Sequence, residues 1–366
     1  MSCVIFKEHV TTAGEKIIEI VLNAERSLNA LSLDMIKLIQ PALDQYRDDD
    51  SVIALMLDSV GEKAFCAGGD VVNLYHALKE PEGVEFAADY FGAEYRLDFS
   101  LHTYPKPIIV WGAGIVMGGG LGLFSGCSHR VVTQSTMIAM PEVTIGLYPD
   151  VGASWFLNKC PGRVGLFLGI TGQRINGADA KYIGIADRQL DNQQKSAMIE
   201  QLLEATYSDS FDTTAVIDTV LKGLEKTSEA QRQISAVREH YDQIQALTDV
   251  NNVIDLMANL KAFKSDVVWL QKAQKAAAHG SPMSTAIIFR QLKNSQHLSL
   301  KQAFLSEMAL SVQCCIKGDL AEGVRALLVD KDGKPNWRFK SVEEVDALFL
   351  DEMFSLPWHK NPIADL

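Results

Sequence analysis

Residues 107–128 read PIIVWGAGIVMGGGLGLFSGCS, a run without one formal charge. Its length would nominally span a bilayer. Glycine, however, fills seven of these positions, three of them consecutive at Gly118, Gly119 and Gly120. A β-branched opening, Ile108-Ile109-Val110, followed by so many glycines predicts a buried strand, a tight turn and the start of a helix. That excludes a membrane span here and places a glycine turn between strand and helix.

The text on either side fits this reading. Val4 to His9 and Lys16 to Leu22 predict two strands joined by a turn near Ala13-Gly14. Ser32 is placed to cap a helix whose apolar stripe is Met35, Ile36, Ile39, Leu43 and Tyr46. Pro41 within that stripe predicts a kink. Val52 to Asp58 is nearly continuous apolar text, the mark of a strand buried on both faces. Further strands at Ile108–Val110 and Arg130–Thr133 carry the alternation to about residue 190, which predicts α/β with largely parallel sheets. Beyond it, Gln194 to Tyr207, Thr227 to Leu247 and Leu300 to Cys315 are helix-rich, charged and short of glycine. The expected organisation is a core over 1–190 and a helical C-terminal region over 191–366 packed on it.

Composition narrows the class. The 366 residues carry 46 acids against 34 bases, a formal net charge of −12, with no polybasic block. Nucleic acid and anionic membranes are therefore not expected partners. Six cysteines in so long a chain, none in C-x-x-C spacing, predict free thiols and no disulfide framework. Strand-like text begins at Val4, and the first residues read as neither signal nor Arg-rich transit peptide, so the expected location is cytoplasmic. The eight histidines are scattered and no H-E-x-x-H occurs, so no metal site is expected.

Two loops lie after an apolar strand and before helical text: Phe65-Cys66-Ala67-Gly68-Gly69-Asp70 and Met117-Gly118-Gly119-Gly120-Leu121-Gly122. Either alone reads as a tight turn. Together they offer backbone N–H groups that can approach one ligand oxygen and form an oxyanion hole. Glu142 and Asp150 stand in otherwise apolar text, which suits general acid–base work near neutral pH or, equally, a turn or helix cap. Glu94 shares a helix face with Phe86, Tyr90, Leu97 and Leu101.

These residues make the chain resemble the crotonase (enoyl-CoA hydratase/isomerase) superfamily, through Phe65 to Asp70, the triple glycine and Pro141-Glu142. Leu22-Asn23 and Leu28 to Leu31 fit its CoA-side strand and loop. Ala139 to Glu142, Gly146 to Gly152, Ser281-Pro282 and Glu322 to Asp332 resemble its 3-hydroxyisobutyryl-CoA hydrolase branch. The resemblance implies a ββα spiral core with a helical C-terminal region. It implies a thioester oxygen held by the N–H groups of Gly69 and Gly119, with Glu142 and Asp150 catalytic and Glu94 in the substrate pocket. An acyl-CoA is then the substrate, CoA being part of it and not a separate cofactor, within valine degradation. Arg26 is placed to meet a CoA phosphate but reads equally as a surface residue. The sequence leaves the oligomeric state open, a homo-oligomer included.

One departure separates activities. Hydratases of this superfamily carry a second glutamate two residues after the triple glycine, where this chain has Gly122. Two-carboxylate addition of water is therefore not available in its usual form, whereas thioester hydrolysis needs one carboxylate, a polarised carbonyl and water. An isomerase or hydratase on the same fold, or a silent acyl-CoA-binding protein, are the alternatives.

Overall fold

The structure is a computed structural model that describes residues 2–207 and 212–366. The chain divides into two compact units, each assembled from three segments.

The first unit comprises Met1–Gly69, Ser100–Ile138 and Ile175–Ser235. Its large sheet uses β1 (Val4–Val10), β2 (Lys16–Leu22), β3 (Val52–Ser59), β5 (Ile108–Gly112), β7 (His129–Thr133) and β10 (Arg188–Leu190). They lie in the order β1-β2-β3-β5-β7-β10. Only β1 runs antiparallel to its neighbour; β2 to β10 are parallel. The nearly continuous apolar text of β3 and β5 is explained by burial on both faces. One face, with Ile17, Ala54, Met56, Ile109, Trp111 and Val131, packs on Met198, Leu202, Ile217 and Leu221 of two following helices. A smaller sheet holds β4 (Ala64–Cys66), β6 (Ile115–Met117), β8 (Met137–Ala139) and β9 (Ile175–Asn176).

The uncharged run 107–128 is therefore strand, turn, strand and helix, ending in Gly119–Gly126. No helix among the described residues is long and apolar enough to cross a membrane. Helix α1 (Leu33–Arg47) begins where Ser32 accepts from the Met35 amide, and it continues through Pro41. Its buried stripe is Met35, Ile36, Ile39 and Leu43.

The second unit comprises Asp70–Phe99, Ala139–Arg174 and Ala236–Leu366. It opens with α2 (Val71–Ala77), capped by the Asp70 carboxylate, and α3 (Gly83–His102). The helix Leu300–Lys317 lies against α3, with Tyr95 between Phe91 and Phe304 at ring separations of 5.7 Å. The stretch 227–247 is not one helix. A 3-10 turn at Glu229–Arg232 gives way to extended backbone at Gln233, and helices Ala236–Glu239 and Tyr241–Thr248 follow.

Candidate active site

In the first unit the structure brings the two glycine loops together. Asn29, buried and in the left-handed region, ties its own turn to the chain beyond β3. Its Oδ1 accepts from Ala24 N, and its Nδ2 donates to the carbonyls of Val60 and Ala64. Leu31 N then donates to Gly68 O at 2.8 Å, and Leu31 bridges Gly69 in parallel register. Gly68 has φ +127, a conformation that any side chain would strain, and a Cβ there would lie 3.7 Å from the Met117 carbonyl oxygen of the second loop. Gly118, with φ +48, turns the chain into helix α4 (Gly119–Gly126). Gly119 is thus the first residue of a buried helix, where backbone N–H groups lack an intrahelical acceptor. A Cβ on Gly120 would lie 2.2 Å from the Cys66 carbonyl oxygen, so the loops meet backbone to backbone. Loops that meet in this way can present backbone N–H groups to one developing oxyanion.

The second unit holds the acids. Glu94, Asp98, Glu142, Asp150 and Glu307 are all buried. Glu94 lies on α3 as its periodicity predicts, and Glu142 opens a 3-10 turn, Glu142–Ile145. Asp150 precedes a tight turn into the short helix α5 (Ala153–Phe156), where Val151 has φ +54 and Gly152 φ +83. Burial raises the Glu94 carboxyl well above its ordinary range, and the charges of Asp150 and Glu142 add to that. Burial does the same to Glu142, with Asp150 the next cause. Among the three acids singled out in the sequence, the charge of Asp150 therefore bears on Glu142 and Glu94, and that of Glu142 on Glu94. Asp150 is pushed up to about 6 by burial, while the Tyr95 hydroxyl, donating to Oδ2 at 2.6 Å, pulls it back. One oxygen each of Glu94 and Glu142 is buried without a hydrogen-bond partner among the described residues. A carboxylate so placed binds a proton or a polar ligand group strongly.

Further participants escaped the reading of the sequence. Asp98, one turn beyond Glu94 on α3, has both carboxyl oxygens buried and without a hydrogen-bond partner among the described residues. Tyr95 continues from Asp150 to Ser311 Oγ at 2.6 Å, and Ser311 meets the Tyr148 hydroxyl at 2.8 Å. Glu307 accepts from Gly152 N at 2.7 Å and Ser154 N at 3.0 Å, and from the Ser154 hydroxyl. The inward stripe Ala303, Phe304, Glu307, Met308 and Ser311 carries the same signal that marked Glu94, an acid on an apolar face. Arg26 is exposed. No group of three His, Cys, Asp or Glu among the described residues is arranged to hold a metal ion.

Comparison with known proteins adds the rest. A model of the enoyl-CoA hydratase/isomerase family matches residues 17–354. A mitochondrial 3-hydroxyisobutyryl-CoA hydrolase of Xenopus laevis is 39% identical over 337 residues, 92% of this chain and 86% of that protein. The human protein of the same name is 36% identical over 356 residues, 95% and 90% of the two chains. Among solved structures, a carnitinyl-CoA dehydratase from Mycobacterium thermoresistibile superposes with TM-score 0.86 at 30% identity, covering 99% of this chain and 98% of that one. An enoyl-CoA hydratase from Rhodobacter sphaeroides gives TM-score 0.84 at 28% identity, covering 97% and 98%. The relatives named as hydrolases are mitochondrial, which overturns the cytoplasmic expectation. The physical reason is that compartment is not written in a folded core: strand-like text from Val4 describes the sheet and says nothing of address.

Proposed function

The chain belongs to the enoyl-CoA hydratase/isomerase family, and from that premise we propose that it hydrolyses a short 3-hydroxyacyl-CoA thioester. The favoured substrate is 3-hydroxyisobutyryl-CoA, the substrate in the hydrolase relatives' name, giving 3-hydroxyisobutyrate and CoA. A place in valine degradation rests on the same reading. The observation that carries it is the buried trio Glu94, Glu142 and Asp150, in a chain whose position 122 is glycine.

In this reading the N–H groups of Gly69 and Gly119 polarise the thioester carbonyl and stabilise its oxyanion. Glu142, its basicity raised by burial, removes a proton from water as the water oxygen bonds to the carbonyl carbon. The C–S bond then breaks, and the CoA sulfur takes up the proton. Direct attack by Glu142, through a mixed anhydride that water then opens, uses the same residues. Asp150 accepts a hydrogen bond from the substrate's 3-hydroxyl, and Glu94 completes that hydroxyl's partners. A plain acyl chain would leave these buried acceptors unpaired, which favours the hydroxylated substrate.

The two solved neighbours, named as an enoyl-CoA hydratase and a carnitinyl-CoA dehydratase, support a second reading, addition or removal of water at a double bond. Gly122, which supplies no second acid, weighs against it. Free-thiol release from 3-hydroxyisobutyryl-CoA, measured beside loss of enoyl absorbance from crotonyl-CoA, separates the two. Thiol release without hydration supports the hydrolase. Hydration without thiol release replaces it with the hydratase, and neither signal would leave an acyl-CoA-binding protein.

A further inference from the structure

Asp150 is held from two directions by one turn of the helix Leu300–Lys317. From the side-chain direction, Ser311 Oγ meets the Tyr95 hydroxyl that donates to Asp150. From the backbone direction, Glu307 takes the amides of Gly152 and Ser154, the residues that follow Asp150 through the turn. Tyr148 links the two, its hydroxyl donating to the Glu307 carbonyl at 2.9 Å and meeting Ser311 Oγ. Glu307 and Ser311 are both 0% exposed and lie one turn apart.

We propose that Glu307 and Ser311 are positioning residues that set Asp150 against the substrate's 3-hydroxyl, so that the C-terminal helix governs selection of hydroxylated acyl groups. The proposal rests on the reading of Asp150 given above.

The turn gives the reason a clamp is needed. Val151 is β-branched and has φ +54, a strained conformation that persists only where surroundings over-determine it. The ring of Phe304, 3.1 Å from where a Gly152 Cβ would stand, closes the turn from the third side. Release of the two amides from Glu307 would let the turn relax and carry Asp150 with it. Burial, opposed by its donors, pushes Glu307 up to about 8. Either protonation state keeps the clamp, because a proton on Glu307 can face the Ser154 hydroxyl while both amide bonds remain. An amide in its place cannot do this, since its nitrogen has no lone pair for the N–H it faces.

The test is Glu307→Gln, with Ser311→Ala as the second variant should the first fail to fold. Two ligands are used: 3-hydroxyisobutyryl-CoA as substrate, and isobutyryl-CoA, which lacks only the hydroxyl, as competitive inhibitor. In Glu307→Gln, kcat/KM for the hydroxylated ester falls at least ~10-fold, as a displacement approaching 1 Å implies. The inhibition constant of isobutyryl-CoA stays within about threefold, because only hydroxyl recognition is lost. Amide exchange at Gly152 and Ser154 accelerates together with that loss. Ser311→Ala moves the same ratio in the same direction by a smaller factor.

Unchanged exchange at these two amides, or an unchanged ratio between the ligands in a folded variant, would overturn the inference. Equal weakening toward both ligands would reduce Glu307 to a structural role and overturn it as well. Absence of thiol release in the unmutated enzyme is a different result: it removes the hydrolase reading, while amide exchange still decides whether the clamp exists.

Discussion

The Tyr95 hydroxyl sits 2.6 Å from Asp150 Oδ2 and donates to it, with both residues buried. This bond makes Asp150 more acidic than burial alone would leave it, because a donor favours the charged form. Ionised, Asp150 is an acceptor only, the state that best takes hydrogen bonds from both Tyr95 and a substrate hydroxyl. With its carboxyl held at about 6, activity toward a 3-hydroxyacyl-CoA should fall as pH drops through that region. Tyr95→Phe removes the donor, so the acid limb of kcat/KM moves to higher pH, and the loss is larger at pH 6 than at pH 8. A limb that stays in place in Tyr95→Phe would detach Asp150 from the pH dependence.

Glu142→Gln keeps the size of the side chain and removes its basicity. Thioester hydrolysis should drop by at least ~10²-fold, the usual effect of losing an acid–base group. Affinity for a CoA ester should survive, since the amide can still accept a hydrogen bond. Steady-state thiol release and a competitive binding assay measure the two separately. Turnover near that of the unmutated enzyme would take Glu142 out of the mechanism.

Much of this was legible in the sequence, and the omissions have a common cause. The parallel sheet announced itself through nearly continuous apolar text such as Val52 to Asp58, and the glycine loops through their position after strands. Glu94 was found because a helical period of 3.6 places it on the inward face. Glu307 carries that same signal, but Gly152, its partner, lies 155 residues away. Periodicity shows that a side chain points inward and not what it meets there. The texture change near residue 190 is likewise a local signal, whereas the two compact units are defined by segments that join across the chain. At Pro41 the missing N–H costs one helix bond, yet with four buried apolar residues on the same stripe the helix runs on through it.

Asp98 bears on stability. Burial raises its carboxyl well above the ordinary range, and Glu94, Asp150 and Glu307 add to the shift. A raised carboxyl pKa means the folded state binds more protons than the unfolded one, so stability falls as pH rises above about 4. Asp98→Asn removes that proton linkage. Relative to the unmutated protein, the variant should gain stability with rising pH, by up to about 1.4 kcal/mol per unit until Asp98 ionises in the folded state. Urea midpoints at pH 5 and pH 8 test this. A difference between the two proteins that does not change with pH would mean that Asp98 has an ordinary pKa.

Gly120 provides a test of the amide site that touches none of the acids. A Cβ there would lie 2.2 Å from the Cys66 carbonyl oxygen and 2.7 Å from the Cys66 Cβ, so Gly120→Ala must push the two loops apart. Backbone cannot yield as a flexible side chain does, and overpacking of this kind costs ~1–3 kcal/mol. The larger consequence falls on the N–H groups of Gly69 and Gly119, which the two loops carry. If they share the developing negative charge of a thioester, separating them should lower kcat by about 10²–10³, the range for a lost oxyanion donor. KM should change less, because the charge appears mainly in the transition state. Gly223→Ala is the control. That glycine has open space around it within the helix Thr213–Glu225, so alanine should leave kcat alone and stabilise by roughly 0.5–1 kcal/mol. A folded Gly120→Ala enzyme with unchanged kcat would show that close apposition of the two loops is not needed for the chemistry, and the oxyanion role of Gly69 and Gly119 would fall with it.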